Sequence, residues 1–401
     1  MIINSALVNE IFRGFHIQRW NDRIRPIDLI EIDKHAHKMM IAYTIGKYEE
    51  MNGNKLDWSK IINSGIYELL RRIVISDIKS PIYDEVKKNK KVFNKLNEYV
   101  YQNLEPKIDD ESILSELEEF LFKDLENEDL NDRIINAAHN YASLWEFQII
   151  RNSNPFHYQN SRIGPNLTTR VEKYEDLLGI RKLMGQHPVS TFIDMCGQLR
   201  FQYRWAQIPR VPKTSVLGHS MMVSCISYFF VRENDPSPAR AFNAFFGGLF
   251  HDLPEIVTRD IISPVKRSSQ EFDDLIKKLE KELTEQEIYP FLEKEWIPEV
   301  EYFTVDEFNN KILEDDEIKI VDSVEELNSN YNEDKFNPFD GELIRAADRL
   351  SAYLEAWNSC KSGIKTDELK IASAEIKKLY AGKNTGNIDF SLIYDKFDSI
   401  C

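Results

Sequence analysis

Cysteine and histidine are scarce in this 401-residue sequence, at four and eight residues. None of Cys196, Cys225, Cys360 and Cys401 falls in a Cys-x-x-Cys pair or a zinc-ribbon spacing, which argues against a thiolate metal site. Four free thiols in a reducing compartment are expected. Long apolar runs are missing, since no stretch approaches the ~20 residues needed to cross a bilayer. The start, MIINSALVNEIFRGF, has no basic end followed by an apolar core, so a secretory signal is not expected. A cytoplasmic protein without a membrane partner is the reading.

Positive charge is also short. Lys and Arg number 51 against 67 Asp and Glu, a net charge of −16. With no long basic run, such a surface repels nucleic-acid backbones. A polymeric nucleic-acid partner is not expected, and a small anionic substrate needs a local positive site. The acid concentrates in 109–129 and 314–326, read as solvated faces and loops rather than metal sites.

What is present is ordinary globular material, 42% hydrophobic and 29% charged, long enough for two or three domains. Apolar residues recur at three- and four-residue steps in 61–75, 113–125, 134–150, 220–231, 272–283 and 343–357. That period predicts helices, and strand-like alternation is rare, so the fold class is all-α. Polar, turn-rich stretches at 152–166, 233–238 and 328–341 are the expected breaks.

Three segments recur in order. Arg19-Trp20 returns as Arg204-Trp205, an offset of 185. SDIKSPI at 76–82 returns as RDIISPV at 259–265, an offset of 183, and INAAH at 135–139 as IRAAD at 344–348, an offset of 209. The larger last offset requires about 26 extra residues in the second copy, within 267–340. The expectation is two tandem helical lobes, 1–150 and 185–401, joined by a linker at 151–184.

The chemistry concentrates in the second copy. His251-Asp252 follows an apolar run and precedes Leu253-Pro254-Glu255. His219 lies 32 residues upstream at the head of another apolar helix, and Asp348 lies 96 residues downstream of Asp252 in Ala-Ala-Asp-Arg-Leu. A carboxylate on an apolar face needs a strong partner: Asp348 is either salt-bridged, with Arg345 or Arg349 at hand, or a metal ligand. Two imidazoles and two carboxylates together suit one divalent first-row transition metal (Mn, Co, Fe, Ni or Zn). Such a metal lowers the pKa of water and polarises a phosphoryl group. Pro254 fits a first turn better than a helix interior, so the chain is expected to kink or restart there. Glu255 is either a water-orienting base or a first-turn Glu favoured by the helix dipole. Asp260 either caps a turn or lines the pocket.

This pattern resembles the HD-domain phosphohydrolases, whose ordered His…His-Asp…Asp set is matched by His219, His251-Asp252 and Asp348. Three longer strings are similar to the bacterial 5′-deoxynucleotidase family: Arg204-Trp205, 15 residues before His219; HDLPEIVTRDIISPVK at 251–266; and ADRLSAYL at 347–354. The resemblance spans about 200–360. It implies an HD-domain helical bundle in which His219, His251, Asp252 and Asp348 bind one divalent metal and Glu255 assists proton transfer. It further implies that Arg204 and Lys266 meet the phosphate, Asp260 contacts the sugar or orients Arg204, and Trp205 packs on the sugar and disfavours a 2′-hydroxyl. Trp205 as a plain core aromatic remains open. Leu253-Pro254 departs from the small residues expected there, and the insertion before Asp348 reshapes the pocket; both bear on the substrate. Alarmone hydrolases of the same superfamily are disfavoured, because Ile256 stands where they would carry Asp.

In the first copy the offset of 183 puts Glu68, Leu69 and Arg72 opposite His251, Asp252 and Glu255, and His139 opposite Asp348. His35 or His37 falls near the place of His219 with a one-residue slip. Leu69 cannot ligate a metal, so 1–150 is expected to be a degenerate HD-like lobe, docked as an internal pseudo-dimer; a homodimer is the other possibility. A second, unrelated metal site of His35, His37 and His139 is the rival. The expected activity is removal of the 5′-phosphate from a small nucleotide, a deoxyribonucleoside 5′-monophosphate first among them. The alternatives are a nucleoside triphosphohydrolase or other HD-type phosphoesterase, and a non-catalytic nucleotide-binding or interaction module.

Overall fold

Two helices are buried on nearly every face: the first carries charged and apolar residues alike, and the second is apolar all round and so must be buried. They are Glu31–Met51 in the first half and Val216–Arg232 in the second; every residue of the latter except Arg232 is buried. In the computed structural model, which describes residues 2–124, 126–261 and 269–397, these helices pack on each other. Ser215 caps the second helix by accepting from Gly218 N, and its hydroxyl also donates to Asp33 on the first at 2.5 Å. Gly218 permits the approach: a Cβ there would lie 2.6 Å from the Phe15 ring and 2.7 Å from Asp33 Oδ1.

Around Glu31–Met51 stand Trp58–Ile75 and Leu130–Ser153; around Val216–Arg232 stand Pro238–Phe250 and Gly341–Lys361. One apolar cluster runs through both halves. Strands are few. The 310–320 hairpin pairs with Phe339–Asp340 as a three-stranded antiparallel sheet within the expected insertion, and two two-stranded ribbons complete the set among the described residues. The fold is all-α.

Backbone details repeat at the repeat's own offsets. Trp20 and Trp205 both take left-handed φ, 54° and 57°, and so do Ser76 and Arg259, 56° and 64°. Non-glycine residues adopt this conformation only where the surroundings impose it.

The stretch 151–184, expected as a linker, carries helices Asn160–Glu172 and Leu178–Met184. The second packs so closely that a Cβ on Gly179 would lie 2.6 Å from Ile45 Cα, and Leu178 N donates to Glu49 at 2.7 Å. Cys360 is disulfide-bonded, against the expectation of four free thiols, whereas Cys196 and Cys225 are free and buried. No described helix is long and apolar enough to cross a membrane.

Candidate metal centre

His219 sits in the first turn of Val216–Arg232, fully buried. Pro238–Phe250 is capped by Ser237 and ends at His251. Gly248 lets these helices touch: a Cβ there would lie 2.7 Å from Ser227 Oγ and 2.8 Å from Ser224 Cα. The two imidazoles are thereby brought to 5.5 Å between ring centroids. The chain leaves the helix at His251 and re-enters one at Glu255, with Pro254 at the cap position, so Asp252 turns back toward the same point. Gly341–Lys361 presents Asp348, Ser351 and Glu355 at helical spacing on one face.

Each imidazole is oriented through its Nδ1. His251 Nδ1 lies 2.8 Å from the Gly248 carbonyl, which can only accept, and His219 Nδ1 lies 3.0 Å from Ser351 Oγ. Both Nε2 atoms therefore face inward, as ligating histidines are held. His219, His251 and Asp252 each offer an atom within 4.8 Å of the others. Asp348 Oδ1 stands 3.1 Å from His219 Nε2, and Asp252 Oδ2 stands 3.2 Å from His251 Nε2. These are charge contacts, and His219 Nε2, His251 Nε2 and Asp252 Oδ2 are buried without a hydrogen bond of good geometry. Buried polar atoms left so are rare and costly, and together they fit a cation cradle.

Arg204 reaches Asp252 at 3.6 Å, Asp348 at 3.8 Å and Glu355 at 3.4 Å. Glu355 is fully buried and also accepts from Trp205 Nε1 at 2.6 Å. Three carboxylates against one guanidinium leave two negative charges, which a divalent cation would balance. Burial disfavours charge on Asp252 and Asp348, yet His251 for the first and His219 for the second, with Arg204, hold both carboxyls below the usual range. Burial likewise pushes the His251 imidazole down, but the Asp252 carboxylate reverses this and holds it at about 9. A proton and a metal compete there for one nitrogen.

Glu255 is buried at the head of its short helix, four residues from His251. Burial pushes the Asp260 carboxyl up, and the nearby Arg204 charge opposes it. Trp205 is half-buried and packs, as Ile208 and Ile364 do, on the Ala356–Cys360–Leu369 cluster. Lys266 lies outside the described residues. Sequence reasoning missed Glu355, Ser351 and, in the insertion, Glu307 and Phe308. The Phe308 ring stands 6.4 Å from that of His251, and burial together with the nearby Asp252 charge raises the Glu307 carboxyl.

His35, His37 and His139 do not converge. His35 Nε2 meets Glu31 at 3.2 Å and His37 Nε2 meets the Ile193 carbonyl at 2.9 Å. Lys34, at offset 185 from His219, is the residue that meets His139, at 3.1 Å. Among the described residues, His219, His251 and Asp252 form the one group of three metal-ligating side chains that comes together.

Residues 196–377 match the family model described as an HD domain. The chain is 22% identical over 205 residues to a 5′-deoxynucleotidase, yfbR, of Photorhabdus temperata, covering 50% of this chain and 89% of that one. It is 32% identical over 84 residues to the 4′-phosphooxetanocin A phosphatase of Priestia megaterium, covering 20% of this chain and 43% of the relative. The crystal structure of an HD-domain phosphohydrolase from Listeria innocua aligns with 51% of this chain and 85% of its own, at 16% identity and a TM-score of 0.36.

Proposed function

This chain belongs, through residues 196–377, to the HD-domain superfamily, and from that premise we propose that it is a metal-dependent phosphohydrolase removing the 5′-phosphate from a small nucleotide, a deoxyribonucleoside 5′-monophosphate first among them. The observation that carries the proposal is the set of inward-facing buried atoms without hydrogen bonds, His219 Nε2, His251 Nε2 and Asp252 Oδ2. These three residues, with Asp348, would hold one divalent transition metal. Bound there, the ion supplies a Lewis acid to the phosphoryl oxygen and makes water a better nucleophile. Relatives named for 5′-deoxynucleotidase and phosphatase activity support the substrate class.

The chain's own groups take the remaining roles. Arg204, anchored through Nε by Glu355, receives the phosphate dianion on its other two nitrogens. Lys266 is assigned a second phosphate contact. Glu255 accepts the proton of the attacking water, the P–O bond to the nucleoside breaks, and the departing 5′-oxygen is protonated. Asp260 steadies Arg204. Trp205, pinned through Nε1, sets the sugar face and disfavours a 2′-hydroxyl. The first half is proposed as a degenerate HD-like lobe docked as an internal pseudo-dimer; the packed central helices and the paired left-handed residues at matching offsets support it.

The test is a panel of deoxy- and ribonucleoside mono- and triphosphates with Mn, Co, Mg, Ni and Zn, on wild type and Asp252→Ala. Orthophosphate and nucleoside are expected from wild type, and nothing from the variant. Release of triphosphate or pyrophosphate would favour the nucleoside triphosphohydrolase. Full activity in Asp252→Ala would remove the assigned centre, and binding without turnover under every metal would leave a non-catalytic module.

A further inference from the structure

The first half carries a charged cluster that this reaction does not use, laid out like the proposed centre but with opposite polarity. Its frame is the same. Arg19 and Trp20 both donate to Glu146, at 3.0 and 2.9 Å, as Arg204 and Trp205 do to Glu355; the two arginine side chains are equally exposed, at 15%. Glu146 precedes Glu355 by 209 positions, the offset of the last repeat.

Inside the frame the ligand set has changed sign. Lys34 Nζ meets His139 Nε2 at 3.1 Å, as His219 meets Asp348 at 3.1 Å. His139 Nδ1 in turn lies 3.1 Å from Glu68, which also accepts from Lys38 at 2.8 Å. Leu69 stands in the place of Asp252 and Arg72 in the place of Glu255. The carboxylates here are already matched: Glu31 and Glu146 by Arg19, at 2.7 and 3.0 Å, and Glu68 by Lys38. Among the described residues, Lys34 and Arg72 have no carboxylate within ion-pair distance. Lys34 is 1% exposed, and Arg72 lies over the Tyr83 ring with its Nε buried and lacking a hydrogen bond. The spot is reachable, for the His139 side chain is 23% exposed against 20% for Asp348.

A buried lysine and a guanidinium that acts on it electrostatically, with no carboxylate in ion-pair contact, are costly to charge together, and in a chain of net charge −16 such a cluster is local and specific. Burial and the neighbouring Arg19 hold the Lys34 amine well below its ordinary value, so an arriving anion is what would favour its charge. We propose that Lys34, Arg72 and His139, backed by Arg19, form a second ligand site that binds a phosphate dianion, free or as a monoester, and does not hydrolyse it. Lys34 stands in the place of His219, Leu69 cannot ligate a metal, and no carboxylate at 72 takes a proton from water. The site rests on its own contacts and does not require turnover in the second half.

The experiment is calorimetry on the full-length Asp252→Ala chain in EDTA, with inorganic phosphate and deoxyadenosine 5′-monophosphate as probes, which separates this site from the metal centre. One saturable equivalent is expected. Affinity should fall at least tenfold in added Arg72→Gln or Lys34→Met, be largely kept in Arg72→Lys, and be unchanged by Arg204→Ala. Equal affinity for the two probes identifies free phosphate as the ligand; tighter binding of the nucleotide identifies the monoester; both support the site. No saturable binding of either probe, or binding removed by Arg204→Ala and indifferent to Arg72→Gln, overturns it. Arg72 is only half-buried, so that variant decides the matter if Lys34→Met does not fold.

Discussion

Replacing Glu355 by Gln tests whether the buried carboxylate behind the centre tunes it. Glu355 is fully buried, accepts the Trp205 indole N–H at 2.6 Å, pairs with Arg204 at 3.4 Å and lies 3.7 Å from His219 Nδ1. A Gln oxygen keeps the indole bond but makes it neutral, and charge-assisted bonds are about twice as strong. Removing one partner of a buried ion pair costs about 3–5 kcal/mol. Arg204 still has Asp252 and Asp348 within 3.6 and 3.8 Å, so the expected loss of stability is smaller, about 2 kcal/mol. The larger effect falls on the metal. Freed from Glu355, the guanidinium leans toward Asp252 and Asp348 and competes for the same oxygens, and loss of such a supporting partner lowers metal affinity about 10–100-fold. Competition with a chromophoric chelator measures the affinity, and thermal melts of the metal-free protein measure the stability. Turnover at saturating metal should fall far less than affinity. Wild-type affinity and wild-type stability together would refute the reasoning.

Other outcomes follow from single contacts. Gly248→Ala puts a methyl 2.8 Å from Ser224 Cα; overpacking of this kind costs about 1–3 kcal/mol, and metal affinity should fall with stability because His219 and His251 are spread apart. Unchanged melting would show that the two helices have slack. Asp33 is buried at the junction of the two halves, and burial pushes its carboxyl up to about 7 despite Arg200. The folded chain thus holds a proton there that the unfolded chain releases above its ordinary value of 3.8, so this group makes stability fall as pH rises from ~4 to ~7, by at most about 4 kcal/mol. Asp33→Asn should flatten that slope and be the more stable form at pH 8; an unchanged slope in denaturant titrations would contradict the assignment. Trp205→Ala should narrow the preference for deoxyribose over ribose monophosphates, and an unaltered ratio would return Trp205 to the role of a core aromatic.

His219, His251 and Asp348 stand out from their neighbours in the sequence because an imidazole or carboxylate in an apolar run must find a partner, and the structure brings them together. The break at Pro254 was legible from proline's missing N–H. Glu355 was not, although two signals existed. It lies seven residues after Asp348 on the same face, and Glu146 repeats it at the third offset. In a sequence with 67 acidic residues, one more Glu is unremarkable until its burial is seen. Lys34 is hidden in the sequence by His35 and His37 beside it, while the left-handed Trp20 and Trp205 fix the register at 185. The polar composition of 152–166 concealed a helix that begins within it, since tertiary packing against Phe147, which lies 3.0 Å from a Cβ built on Gly164, overrides local preference. The disulfide at Cys360 has no spacing signature at all.

The most direct test is a crystal structure of the Mn-loaded chain with anomalous data at the metal edge. One ion bonded to His219, His251, Asp252 and Asp348 in the second half, with none between His139 and Glu68, is the predicted result. An ion bound elsewhere, or one that leaves His219 and Asp348 in different coordination spheres, would contradict the account.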